Sequence, residues 1–258
     1  MTRNLGRHTY GIAAIVLGLI GLWWRDFATT WQPVPPDIPG RSLLAVSIAL
    51  LLILAGFAVQ FRRSMQVGAV ALGAIYLVFV LLWLNRAIGL PFVFGMWLGT
   101  AEQLALVVGA AVIVTVNDLE ASRSVAFCRL LFGICLLAFG TAHFIYVSET
   151  AAMVPAWLPP TARFWALATG AAHVLGGIAL LLDRLAWLAA RLVTAMFVIF
   201  GLLVWLPQLA ANPSAHLIWG GNAVNFALVG AAWVLADAIS ISPATRELRS
   251  PVRRPARL

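Results

Sequence analysis

Apolar residues fill this chain in eight long runs, with the polar residues crowded into short intervals between them. The runs fall at roughly 9–24, 42–61, 66–85, 97–116, 125–147, 162–182, 185–206 and 217–238. A bilayer's hydrocarbon core, about 30 Å thick, needs about 20 apolar residues per helical span. Each run therefore predicts one transmembrane helix, and the chain as a whole an all-α membrane protein. Little sequence is left between the runs for a soluble domain. The first run follows Arg3 and Arg7 and has the layout of a signal peptide, but no small-x-small cleavage site follows it. It is kept as a span.

The pattern repeats. Laid over residues 130–237, residues 11–116 align helix for helix. Gly21 meets Gly140, Val34 and Pro35 meet Val154 and Pro155, Pro39 meets Pro159, and Gly56 meets Gly176. Further on, Trp83 meets Trp205, Gly99 meets Gly220 and Gly109 meets Gly230. The expected organisation is eight transmembrane helices as two parallel four-helix repeats, residues 1–120 and 121–240, followed by a disordered basic tail over 241–258. Four spans per unit is an even number, so both copies enter from the same side. Inverted repeats are a frequent mark of alternating-access transporters, so the parallel arrangement argues against transport without excluding it.

Between the spans, Arg25–Arg41 and Val147–Thr161 are Pro-rich segments on one side of the membrane, read as lids or interfacial anchors. Trp31 and Trp157 are placed at the headgroup level, where an amphipathic ring is favoured. Asp183 and Arg184 mark a tight turn, with helix capping and interface charge as their role. The link Asn117–Arg129 is a polar seam between the units, short enough that the two halves should pack together. The tail reaches anionic headgroups if it reaches anything.

Composition and charge sharpen this outline. The chain is 62% hydrophobic and 10% charged, with mean hydropathy +0.97, too apolar for a water-soluble globule. All 17 basic residues are Arg and the net charge is +8. That bias fits a GC-rich gene, and no nucleic-acid partner is read into it. Arg3, Arg7, Arg62, Arg63, Arg123, Arg129 and Arg184, with the Arg residues of the tail, fall on one side of an eight-span topology. Arg25, Arg41, Arg86 and Arg163 fall on the other. The positive-inside rule then places both termini in the cytoplasm of a cell whose inner membrane holds the protein. Cys128 and Cys135 lie seven apart on one helix face, about 10 Å by rise, too far to bridge. They read as small core residues.

Polar side chains inside a membrane are costly and tend to face the bundle interior. His143 lies near the outer end of span five and His173 near the middle of span six. Asn222 and Asn225, three apart and so on one face, sit in the outer third of span eight, with Glu102 and Gln103 at the corresponding depth in span four. Together they suggest a polar-lined cavity opening outward beneath the Pro/Trp loop. Trp24, Ile53, Ala101 and Leu104 stand where the first unit would carry His143, His173, Asn222 and Asn225, so the site is expected in the second unit. Each residue also has a structural role open to it: His143 bonding a loop carbonyl, His173 bridging a close small-residue helix contact, the asparagines joining helices, Glu102 meeting solvent at the interface. Arg191 is expected to snorkel to the cytoplasmic headgroups. His143 and His173 differ in depth by about 10 Å on helix rise, which speaks against shared haem ligation. No carboxylate is evident to support a zinc site, and no metal is expected.

The second unit carries Gly140-Thr141-Ala142-His143-Phe144, then Val154-Pro155-Ala156-Trp157-Leu158-Pro159, then Thr169-Gly170-Ala171-Ala172-His173-Val174-Leu175-Gly176-Gly177, and then the Leu182-Asp183-Arg184 turn. It resembles the DoxX-like family of small four-span membrane proteins, over about half of the chain. The resemblance implies a four-helix membrane fold and, for some members, association with a membrane redox system such as a quinone-linked oxidoreductase. The family commonly has an acidic residue where this chain has His173, which puts any role resting on a carboxylate there in doubt. The resemblance thus implies a subunit or accessory of a redox system that takes a quinone-like or other amphipathic ligand from the outer leaflet. In that picture His143 and His173 donate hydrogen bonds to a carbonyl oxygen or relay a proton, and Asn222 or Asn225 orients the headgroup, with Trp157 and Glu102 lining the site. A non-catalytic lipid-binding or scaffolding protein is the competing expectation, and a small-solute transporter the third.

Overall fold

A computed structural model of the chain describes residues 5–28, 30–115 and 121–241. The apolar runs are helices: α1 (Leu5–Trp24), α2 (Arg41–Gln60), α3 (Met65–Gly89), α4 (Phe94–Thr115), α5 (Ala121–Ile145), the short α6 (Val147–Ala152), α7 (Ala162–Leu181) and α8 (Ala186–Phe200). A π-helical turn (Gly201–Trp205), α9 (Leu206–Ala211) and α10 (His216–Ile241) follow. Taking Ala186–Ala211 as one rod, eight helices among the described residues are long and apolar enough to cross a membrane. No strand occurs among the described residues. The architecture is that of a multi-pass, all-helical membrane protein. Part of the polar link, residues 116–120, and the basic tail beyond Ile241 lie outside the described residues.

The seventh span runs further than its hydropathy predicts. Pro207 has no N–H, and its ring pushes away the carbonyl of Leu203 one turn back. The backbone accommodates it by widening into the π turn just before the proline, and the helix then resumes to Ala211. At the start of α7, Thr161 Oγ1 accepts from the Phe164 amide at 3.1 Å, an ordinary N-cap. At its other end Arg129, reaching across from α5, donates to the Leu180 carbonyl and pairs with Asp183 at 3.5 Å. The guanidinium thereby reinforces a carbonyl at the helix end that otherwise accepts only a long 3.4 Å bond from the Asp183 amide.

In lipid there is little hydrophobic drive between helices, so close packing relies on small residues. α5 and α7 touch along such a seam. A Cβ on Gly177 would lie 2.8 Å from the Gly133 carbonyl oxygen, and one on Gly140 would lie 2.7 Å from that of Gly170. α1 packs on α2 and α10, α4 on α3 and α5, and α8 on α10, with α4 and α10 in contact at the centre. α10 is the most enclosed span, with 78% of its apolar window buried, and the Ala186–Ala211 rod the least, with 22%. The rod stands at the periphery, attached mainly through α10.

Two expectations change here. Trp31 is not an interfacial anchor: it is 6% exposed and meets Trp205 edge-on at 6.0 Å. The Ala28 carbonyl accepts from both the Trp31 and Gln32 amides, and the resulting turn points the indole inward over Gly220, where no Cβ stands in its way. Arg191 does not simply snorkel; it pairs with Asp237 of α10 at 3.6 Å. The two residues stand near the adjoining ends of α8 and α10, which brings the acid within reach of the guanidinium.

Candidate functional site

Between α5, α7, α8 and α10 lies a cavity of about 680 Å³. Its roof is α6 and the loop that follows, through Thr150, Met153, Pro155 and Leu158. Trp165 fixes that roof by donating from its indole N–H to the Pro159 carbonyl at 2.8 Å. Most of the lining is apolar, and much of it aromatic: Phe139 from α5, Phe197 and Phe200 from α8, Trp205 from the π turn and Trp31 from the first half's loop. On one side the wall consists of Ala172 on α7 and Leu192, Ala195 and Ile199 on α8, all of them exposed on the outside of the bundle. The cavity thus opens sideways, between the two helices, onto the face that lipid covers.

His143 and His173 stand together in this cavity, their ring centroids 5.0 Å apart. The 10 Å difference in level expected from helix rise is therefore wrong. The passage through α6 and its loop lifts the start of α7 beyond the end of α5. His143 consequently lies level with Gly170, whose missing side chain admits the His143 Cβ, and not with the first turn of α7. His173 is 2% exposed and ringed by Phe139, Phe197 and Phe200 at 5.7 to 6.0 Å.

Both imidazoles are oriented by backbone. His173 Nδ1 lies 3.0 Å from the Thr169 carbonyl oxygen, and His143 Nδ1 lies 3.1 Å from that of Ala166. A carbonyl only accepts, so Nδ1 carries the hydrogen in each ring. The Thr169 hydroxyl donates to the Trp165 carbonyl at 2.7 Å and so receives from His143 Nδ1, at 3.1 Å. His173 Nε2 is buried with no partner.

Asn225 is 8% exposed, lines the cavity and donates to the Phe197 carbonyl at 3.0 Å. Asn222 lies outside the lining; its amide bridges the Trp205 and Ile218 carbonyls, each at 3.0 Å. The shared face of the two asparagines thus holds α10 to the irregular part of the seventh span. Glu102 of α4 lines the cavity and makes no hydrogen bond or ion pair among the described residues. Trp157 is 70% exposed on the outer surface of the roof loop and does not line the cavity. Among the described residues no group of three His, Cys, Asp or Glu side chains is placed to hold a metal ion, the histidine pair included.

Several lining residues carried no clear mark in the sequence. Thr169 was readable in principle, standing one turn before His173, and Pro207, directly after the seventh apolar run, is a residue that disturbs a helix continuing through it. Nothing local indicates that Trp31 turns inward.

Fold and cavity together define a multi-pass helical membrane protein with a laterally open, aromatic-walled cleft. Residues 132–236, which contain both histidines and both asparagines, match a family described as Domain of unknown function (DUF8561). No curated protein and no solved structure matches the chain.

Proposed function

We propose that this chain is a membrane-embedded binding protein that takes a quinone-like or other amphipathic molecule from the lipid through the α7–α8 opening, and that it serves as a subunit or accessory of a membrane redox system. The observation that carries the binding step is the cavity: apolar along its length, polar where His143 and His173 meet, and open to the lipid-facing side. Its volume falls within the usual range of small-molecule pockets. The redox association rests on the resemblance of the second half to the DoxX-like family. The orientation goes with this reading: both termini in the cytoplasm of an inner membrane and the roof on the outer leaflet, a placement the distribution of Arg residues supports.

The same proposal holds the chain to be a tandem, parallel duplication, and paired contacts support it. Gly18 approaches the Ala49 carbonyl as Gly140 approaches that of Gly170, and the contact between Gly11 and Gly56 matches that between Gly133 and Gly177. The Trp97 indole donates to Pro91 as the Trp219 indole donates to Pro213, and Trp83 lies on Gly99 as Trp205 lies on Gly221. These contacts shift the register of the sequence alignment: Gly21 stands at the place of His143, Leu52 at that of His173, and the buried Gln103 at that of Asn225. In the first half the corresponding space, bounded by Gly21, Leu52 and Phe27, is closed. The open cavity accordingly lies in the second half, with Trp31, Leu98 and Glu102 of the first half in its wall.

Mass spectrometry of an organic extract from protein purified in mild detergent tests the binding step. A quinone-like or other amphipathic molecule is expected in the wild type and absent from a folded His143→Gln, His173→Gln double variant. Bulk phospholipid alone, equal in both proteins, would instead favour a scaffold in which the histidines only join α5 to α7.

A further inference from the structure

The hydrogen-bond polarity of the cavity narrows what it holds. Both histidines give their Nδ1 hydrogens to backbone carbonyls of α7. No carboxylate lies within ion-pairing distance of either ring among the described residues. An unpaired cation in an apolar cavity is costly, so the rings are neutral, and a neutral ring with hydrogen on Nδ1 presents only a lone pair at Nε2. The neighbouring donors are largely engaged: the Thr169 hydroxyl with Trp165, the Trp165 indole with Pro159, and one of the two amide hydrogens of Asn225 with Phe197. Donors left in the lining are Thr150 of α6, Trp31 of the first half's loop, Trp205 of the π turn, the second Asn225 amide hydrogen and Glu102 of α4, a donor in its neutral form. The two imidazoles therefore accept into the cavity and do not donate, and among the described residues His173 Nε2 is a buried acceptor with nothing to accept from.

The geometry points to a ligand held through a hydroxyl hydrogen: a phenol or hydroquinone whose O–H donates to His173 Nε2 while its ring lies among Phe139, Phe197 and Phe200. This rests on the reading of the cavity as a ligand site and adds the chemical form of the ligand. A quinone carbonyl would face the imidazole lone pair to lone pair and leave the buried His173 Nε2 unmatched, whereas the reduced form supplies the missing hydrogen. The same preference separates an alcohol or phenol from its methyl ether. Aromatic walls favour a flat ring over an alkyl chain at this end.

The test uses the full-length protein in detergent micelles and two redox-inert probes of nearly equal shape, 4-heptylphenol and its methyl ether, with binding read by quenching of tryptophan fluorescence and corrected for partition into empty micelles. The phenol is expected to bind at least about tenfold more tightly, the ratio one buried hydrogen bond supports. Under anaerobic conditions durohydroquinone is expected to exceed duroquinone in the same direction. His173→Phe, which keeps a ring and removes the acceptor, is expected to erase the preference while leaving ether binding in place. Equal binding of phenol and ether to the wild type would overturn the hydroxyl inference and leave the cavity standing as a ligand site. Failure of every probe to bind would overturn both.

Discussion

Glycine at the α5–α7 seam sets where the two histidines stand. Without a Cβ at Gly140 the Gly170 backbone comes within contact of α5, and without one at Gly170 the His143 side chain can descend beside α7. A valine at Gly140 would place its Cβ 2.5 Å from Val174 Cγ2 and 2.7 Å from a carbonyl that cannot yield. Gly140→Val is therefore expected to destabilise the protein by about 1–3 kcal/mol, the usual cost of overpacking, and to separate the histidine rings. Gly89→Ala, at a site with no atom within 4 Å, is the control and should leave stability unchanged or slightly raised. Thermal unfolding in detergent reads both; equal melting points for the two variants would mean that the seam is not a close contact. Sequence alone marked these glycines and both histidines as noteworthy. It could not give their juxtaposition, because that depends on how far the α6 loop lifts α7 past the end of α5.

At the scale of single elements, the helices themselves were legible, since apolar runs of spanning length admit few other structures in lipid. What was not legible was how each helix end is satisfied. Arg129 read as a topology marker on the terminal side of the membrane and Asp183 as part of a capped tight turn, with nothing to join them. In the fold Arg129 is buried, and its guanidinium closes the end of α7 through Leu180 while Asp183 stands 65% exposed beside it. The two residues should therefore differ in weight. Arg129→Leu leaves the Leu180 carbonyl without its side-chain donor and is expected to cost about 2 kcal/mol. Asp183→Asn removes an exposed charge from a screened pair and is expected to cost well under 1 kcal/mol. A melting-point comparison in which Asp183→Asn matched or exceeded Arg129→Leu would transfer the role to the ion pair. The seventh span is tied in the same way: Asn222 holds the Trp205 carbonyl of the π turn, and Asn225 that of Phe197 on α8. Two residues that read as ligand contacts act first as ties between α10 and the seventh span.

On the scale of the molecule, the two halves do not sit side by side as finished bundles. α1 packs on α10 and α4 on α5, so the outer helices of each half complete the other, and α4 meets α10 at the centre. There Gly109 faces Ala231, and Gly230 lies against the backbone of Tyr10, where a Cβ would come within 2.5 Å of the Tyr10 amide nitrogen. Trp24 stacks on His216 at 4.7 Å, and Trp31 closes the second half's cavity from the first half. A chain cut in the link after Val116 and expressed as two pieces should therefore reassemble, with an affinity tag on one piece recovering the other from detergent in equal amount. Gly230→Leu, which thrusts a side chain into the backbone of α1, should abolish that recovery while a substitution on the lipid-facing side, such as Leu175→Ala, leaves it intact. Expressed alone, the second piece is expected to pair with itself, because the face that α1 and α4 would cover on α10 is left bare. Two pieces that each ran as a stable monomer, with no recovery of one by the other, would mean that each four-helix unit is complete without its neighbour. Trp31 would then be dispensable to the cavity, and the first half would have to be explained by something other than the shape it lends to the second.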